Sequence, residues 1–140
     1  MAHEFPSEAW IRAWQAAVNE DDRYGELSEG WGVGFDGDMV FHLRADDRLP
    51  TDRYFFVGLE DGEAYGCREV DSPDAVDHGF VLRGRYADWV AMTRGDLGAI
   101  EGLMDGRLEL DGDLQRVLAY SAAATRLVDL AATVDTEYVY

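Results

Sequence analysis

The sequence predicts a single α+β domain, and three observations carry that reading. Apolar residues recur at helical spacing in the first twenty residues, at a spacing of two between Trp31 and Arg85, and at helical spacing again beyond Tyr86. The pairs Asp36-Gly37 and Asp61-Gly62 punctuate the middle stretch as turns. A length of 140 residues suits one domain (1–140) with one core, and no internal repeat or linker divides it.

The first helix is expected after Pro6, with Ser7 as N-cap and Trp10, Ile11, Trp14, Ala17 and Val18 on one face, ending at Glu20-Asp21-Asp22. Two tryptophans on one stripe need a sheet or groove to cover them. A hairpin is expected next, Trp31 to Phe35 returning through Asp36-Gly37 into Met39 to Leu43, with Met39, Phe41 and Leu43 on one side. Beyond the polar loop Ala45 to Asp52, strands are expected at Tyr54 to Leu59, at Tyr65 to Val70 on an edge, and at Gly79 to Arg85 with Phe80 and Leu82 inward. The centre is therefore an antiparallel meander of about five strands.

Helical spacing then predicts two short helices. Asp88 caps one, with Trp89, Val90 and Met92, stopped by Gly95; Asp96 caps the other, with Leu97, Ile100, Leu103 and Met104, closed by Gly106. Leu108 and Leu110 alternate in a short strand ended by Asp111-Gly112. Asp113 then caps a long last helix with the stripe Leu114, Val117, Leu118, Ser121, Thr125, Val128 and Ala131.

Charge narrows the partners. There are 29 Asp and Glu against 12 basic residues, a formal net charge of -17, and every basic residue is Arg. A Lys-free, acid-rich chain suits concentrated salt, where the Debye length falls to about 3 Å and carboxylates no longer repel at range. A halophilic source is expected. A nucleic-acid partner is not, because phosphate binding needs a basic patch and no Lys/Arg cluster exists. Cys67 is the lone cysteine, so no internal disulfide can form. Residues 1–6 have neither the basic nor the apolar region of a signal peptide, and no apolar run approaches the roughly 18 residues of a membrane span. A cytoplasmic location is expected.

Catalytic chemistry finds little support. Gly32-Val33-Gly34-Phe35-Asp36-Gly37 fits G-x-G-x-x-G, but a strand rather than a helix is expected after it, so it reads as a glycine-rich hairpin. His3, His42 and His78 share no ligand spacing with Cys67, and no metal is expected. His42 lies opposite Phe41 and Leu43 and reads as solvated or facing a partner. Cys67 reads as a small packing residue. Carboxylate pairs such as Asp46-Asp47 say little in a chain this acidic. No catalytic residue and no cofactor is expected.

The stretch Asp96 to Tyr120 carries a resemblance. Met104, Gly106, Arg107, Leu108, Leu110, Gly112 and Asp113 fit a run "M-x-G-K/R-L-x-L-x-G-D" between two helices, preceded by the strand Phe80-Val81-Leu82 and by Asp88-Trp89. In these features the chain resembles the sterol carrier protein 2 (SCP2) domain family, as a halophilic archaeal member. Arg107 stands where Lys is usual, and the lead through Trp31 does not align by eye.

The resemblance implies an SCP2-like fold, in which an antiparallel sheet is covered by an N-terminal helix and C-terminal helices. It also implies an apolar tunnel that takes fatty acyl chains, sterols or other lipids without catalysis. Periodicity offers Phe41, Leu43, Phe55, Phe56, Leu82, Trp89, Met92, Leu103, Met104, Leu118 and Leu127 as lining residues. The partner is then a lipid or other apolar small molecule, isoprenoid rather than sterol in an archaeon. The alternative is an accessory protein that presents an apolar intermediate, such as a quinone precursor, to an enzyme partner.

Overall fold

A computed structural model describes residues 2–140. In chain order the elements are β1 (His3–Phe5), α1 (Glu8–Glu20), α2 (Asp22–Leu27), β2 (Met39–Arg44), β3 (Arg53–Glu60), β4 (Glu63–Val70) and β5 (Phe80–Arg85). They continue with α3 (Tyr86–Thr93), α4 (Ala99–Met104), β6 (Leu108–Asp111), α5 (Leu114–Ala119), α6 (Ser121–Ala131) and β7 (Thr136–Tyr138). The fold is α+β, as the sequence predicts.

Helix α1 forms where its apolar stripe places it. Ser7 Oγ accepts from the Trp10 amide at 3.0 Å, and Trp10, Ile11, Trp14 and Val18 are buried. The acidic run that ends α1 also starts a helix the spacing does not predict: the Asp21 carboxylate accepts from the Tyr24 amide at 2.8 Å and caps α2.

Five strands form one sheet in the order β4-β3-β2-β5-β6, and a separate parallel pair joins β1 to β7. The large sheet is antiparallel except for β2 and β5, which run parallel with Met39 opposite Phe80 and Arg44 opposite Arg85. It is therefore not a meander. Strand β4 lies at the edge, so the connection 71–79, with a 3₁₀ turn at Pro73–Ala75, crosses β3 and β2 to reach the place of β5. A crossover of this kind is what a parallel neighbour requires.

The expected hairpin through Asp36-Gly37 is absent, and residues 28–35 form turns and bends instead. Gly30, Gly32 and Gly34 have φ of 90°, 81° and 83°, outside the extended region. The Trp31 indole is buried and donates to the Gly37 carbonyl at 3.0 Å, and a Cβ on Gly37 would lie 2.5 Å from that nitrogen. The glycines let the segment wrap an indole rather than pair with β2. The Asp61-Gly62 turn does form, with φ of 44° and 89°.

Among the later helices, capping differs from expectation. Asp88 sits inside α3, whose cap position is Arg85; it is buried and accepts from Arg85 Nε at 3.3 Å. Gly98 rather than Asp96 precedes α4. Asp113 caps α5 as expected, accepting from the Gln115 amide at 3.0 Å. The long last helix is broken at Tyr120, whose hydroxyl donates to the Glu29 carbonyl at 3.2 Å and whose ring meets Trp31 edge-on at 5.3 Å. A tertiary contact thus sets the break.

Helix α1 packs on β4, α3 on β2 and β5, and α6 on α1 to α4, so the helices cover one sheet face. Val40, Phe56 and Val81 alternate with the residues beneath the helices and are also buried. They point to the opposite face, where the Tyr65 and Arg68 side chains lie against Phe56. Arg68 lies 4.8 Å above the Phe56 ring.

Candidate functional site: an apolar cavity between sheet and helices

A cavity of about 120 Å³ lies between the sheet and its covering helices. By the roughly 10–15 Å³ that one water occupies on this measure, it has room for about ten heavy atoms of a flexible chain. Strand pleating supplies the floor. Residues two apart share a face, so Phe41 and Leu43 of β2, Phe55 of β3 and Leu82 of β5 all line it. Trp89 and Met92 of α3, Leu103 of α4 and Leu127 of α6 contribute from the helical side. Aromatic rings order part of this wall, with Phe41 at 5.9 Å from Trp14 and 5.0 Å from Trp89.

Three expected lining residues stand elsewhere. Phe56 follows Phe55 on a pleated strand and so must face the other side, where Tyr65 and Arg68 cover it. Met104 is 60% exposed, because α4 is short and turns Leu103 inward, which carries the next side chain about 100° away. Leu118 is half-buried outside the cavity, and its neighbour Val117 lines it instead.

Much of the wall lies beyond what sequence reasoning finds. Trp10, Ile11 and Trp14 line the cavity from α1; their stripe is the available signal, and it reads equally well as plain packing. Tyr24, Ser28 and Trp31 come from a region whose helix and turns local spacing does not reveal. Ala123 and Ala124 on α6 enlarge the space by being small.

The electrostatics of the wall are simple: none of its residues is Asp, Glu, Arg or His. The four indoles that reach it are each tied to the protein. Trp10 Nε1 donates to Thr136 Oγ1 at 2.9 Å, Trp14 to the Leu127 carbonyl at 3.1 Å, Trp31 to the Gly37 carbonyl at 3.0 Å and Trp89 to the His42 carbonyl at 3.1 Å. These bonds fix the rings and leave their apolar faces toward the cavity.

Charged groups and the thiol lie outside it. The Arg126 guanidinium holds the Asp21 carboxyl down at about 2. Burial pushes the Cys67 thiol up to about 12, which suits a packing residue and not a nucleophile. His42 is on the outer sheet face, partly exposed, with both ring nitrogens engaged: Asp52 Oδ2 lies 2.9 Å from its Nε2, and Arg83 Nε donates to its Nδ1 at 3.2 Å. Arg83 in turn binds Asp111 at 2.7 Å and holds that carboxyl below the usual carboxylate range. Among the described residues no group of three His, Cys, Asp or Glu could hold a metal ion, and no helix is long and apolar enough to cross a membrane.

A sheet whose covering helices leave an apolar compartment defines a class of α+β proteins with an internal cavity. The family follows from comparison: the model of the SCP-2 sterol transfer family matches residues 37–125, more than half the chain, and the protein belongs to that family. A crystal structure of sterol carrier protein 2 is 27% identical, with a TM-score of 0.80 over 91% of this chain and 97% of that one. The solution structure of a conserved hypothetical protein from Thermus thermophilus is 26% identical, with a TM-score of 0.83 over 98% of this chain and 94% of that one. Sterol carrier protein 2 from Yarrowia lipolytica shares the fold at 13% identity, with a TM-score of 0.57 over 88% and 89%. No curated protein matches the chain.

Proposed function

We propose that this protein binds and carries an apolar ligand, an acyl or isoprenoid chain, in the cavity between sheet and helices, and that it performs no chemistry on it. The carrying observation is the wall itself, built mostly of aliphatic and aromatic side chains and free of charged ones. Burying an alkyl chain there is favourable by about 0.8 kcal/mol per CH₂. No carboxylate or imidazole lines the space, and the Cys67 thiol is buried elsewhere. Membership of the SCP-2 sterol transfer family supports the reading. We take residues 1–140 as one binding domain, with Phe41, Leu43, Phe55, Leu82, Trp89, Met92, Leu103 and Leu127 as ligand contacts. The Lys-free acidic composition supports a salt-rich cytoplasm as its setting.

A second reading, presentation of the ligand to an enzyme, is favoured by Met104 and Leu114. Both are exposed, and each belongs to a short helix that also lines the cavity, α4 through Leu103 and α5 through Val117. Native mass spectrometry of protein purified in high salt, with extraction of co-purifying lipid, tests the carrier reading. A bound lipid, or a rise in Tm with acyl or isoprenoid probes, is the expected outcome. Ligand-free protein whose melting no such probe alters would refute it.

A further inference from the structure

We infer that α1 occupies the open edge of the large sheet and thereby blocks strand addition there by a second copy of this chain. Strand β4 ends the order β4-β3-β2-β5-β6, so one row of its backbone N–H and C=O groups has no strand to meet. Side chains of α1 meet it instead. The Asn19 amide pairs with Ala64 in both directions, its Nδ2 donating to the Ala64 carbonyl at 2.8 Å and its Oδ1 accepting from the Ala64 N–H at 2.8 Å. Gln15 Oε1 accepts from the Cys67 N–H at 2.9 Å, and Glu8 Oε1 accepts from the Glu69 N–H at 3.2 Å.

Helix and strand are matched in length. From Glu8 to Asn19 the helix rises about 16 Å, and from Ala64 to Glu69 an extended strand covers about 16 Å as well. The two run antiparallel, since Glu8 meets Glu69 and Asn19 meets Ala64. Glu8, Gln15 and Asn19 fall within about 40° of one another around the helix axis, on the flank of the stripe that buries Trp10, Ile11, Trp14 and Val18. One helix thus packs its apolar stripe inward and closes the sheet edge with its polar flank.

The two edges of the sheet differ in what they need. Strand β6 has four residues against eight in β4, and a short edge is a poor template for pairing. A bared β4 is long enough to pair, and in pure protein the strand that fits it is the same edge of another copy, antiparallel across a two-fold axis. Charge alone does not keep two copies apart. At a net charge of -17 they repel in dilute salt, but molar salt cuts the Debye length to about 3 Å. Hydrogen bonds from α1 close the edge without relying on that repulsion.

The double variant Gln15→Ala/Asn19→Ala of the full chain, in molar salt, tests this; alanine keeps α1 helical and adds no apolar bulk. In dilute protein the amides of Ala64 and Cys67, followed by NMR hydrogen exchange, should exchange about tenfold faster than in the wild type, while that of Val40 in the sheet centre keeps its rate. In concentrated protein the variant should dimerise at least about tenfold more tightly by sedimentation equilibrium, and both amides should slow again. Gln15→Glu retains an acceptor oxygen and should leave Cys67 as slow as in the wild type, whereas Gln15→Ala should not. Unchanged exchange at Ala64 and Cys67, equal acceleration at Val40, self-association no tighter than that of the wild type, or a dimer in which both edge amides stay fast would overturn the inference. So would a Gln15→Glu variant that exposes Cys67 as much as Gln15→Ala does.

Discussion

The two faces of the large sheet are built from alternating residues of the same strands, and they end up unlike each other. On the helical face Phe41, Leu43, Phe55 and Leu82 border a cavity. On the other, Val40, Phe56 and Val81 are buried and do not border it, flanked by His42, Arg83, Asp111 and Glu109 in a connected set of hydrogen bonds and ion pairs. Strand pleating gives both faces the same supply of apolar side chains, so the cover makes the difference. Side chains such as Tyr65 and Arg68 can lie close upon a sheet. Helices standing off on large indoles, each pinned by its N–H, cannot close every gap. One face specifies the fold, and the other holds the space.

Truncation separates them most sharply. Phe56→Ala, on the closed face, should cost about 3–5 kcal/mol in denaturant unfolding and leave the affinity for decan-1-ol unchanged in the protein that remains folded. Loss of binding with little loss of stability would mean that Phe56 faces the cavity after all.

The converse change fills the open face. Ala123→Phe directs a ring from α6 into the cavity and should weaken decan-1-ol binding more than tenfold, while the unliganded Tm stays level or rises because the added ring gains contacts. A fall in Tm with binding intact would place the ligand elsewhere.

These contrasts also show what the sequence makes legible. The face of a strand is readable to within its register: Phe41, Leu43 and Leu82 fall where alternation puts them, and Phe55 and Phe56 could not both point inward. Helix α1 is readable because its stripe and Ser7 cap are local. The Trp31 region is not, since its glycine turns answer to an indole bond with Gly37 that no spacing rule contains. The break at Tyr120 likewise depends on Trp31 and on Glu29, 91 residues away in sequence. Cavity and core residues are the same types at the same spacing, so only the packed structure tells them apart.

Smaller effects probe how the helical cover is held. Asp113→Ala removes the α5 cap and should cost about 1 kcal/mol, seen as a lower Tm, with a modest loss of probe affinity because α5 carries Val117 into the wall. No change in either would mean that α5 does not depend on its cap.

The Asp21–Arg126 pair joins the start of α2 to α6 at 2.6 Å. Its effect appears with acid. The folded carboxyl titrates at about 2 against an ordinary 3.8, so the stabilisation is present above about pH 4 and is lost as the pH falls toward 2. Asp21→Asn should lower the Tm at neutral pH, where the pair is formed, and meet the wild-type value near pH 2, so that its profile is flatter in that window. An undiminished acid slope in the variant would assign that slope to other carboxylates.

The account rests on the inner face alone being the binding face, and ¹³C-methyl spectra recorded during a titration with decan-1-ol test this most directly. The methyls of Leu43, Leu82 and Leu127 should shift together and saturate, while those of Val40 and Val81, whose side chains point to the opposite face of the same sheet, should stay in place. Shifts confined to Val40 and Val81, or spread equally over both sets, would contradict it.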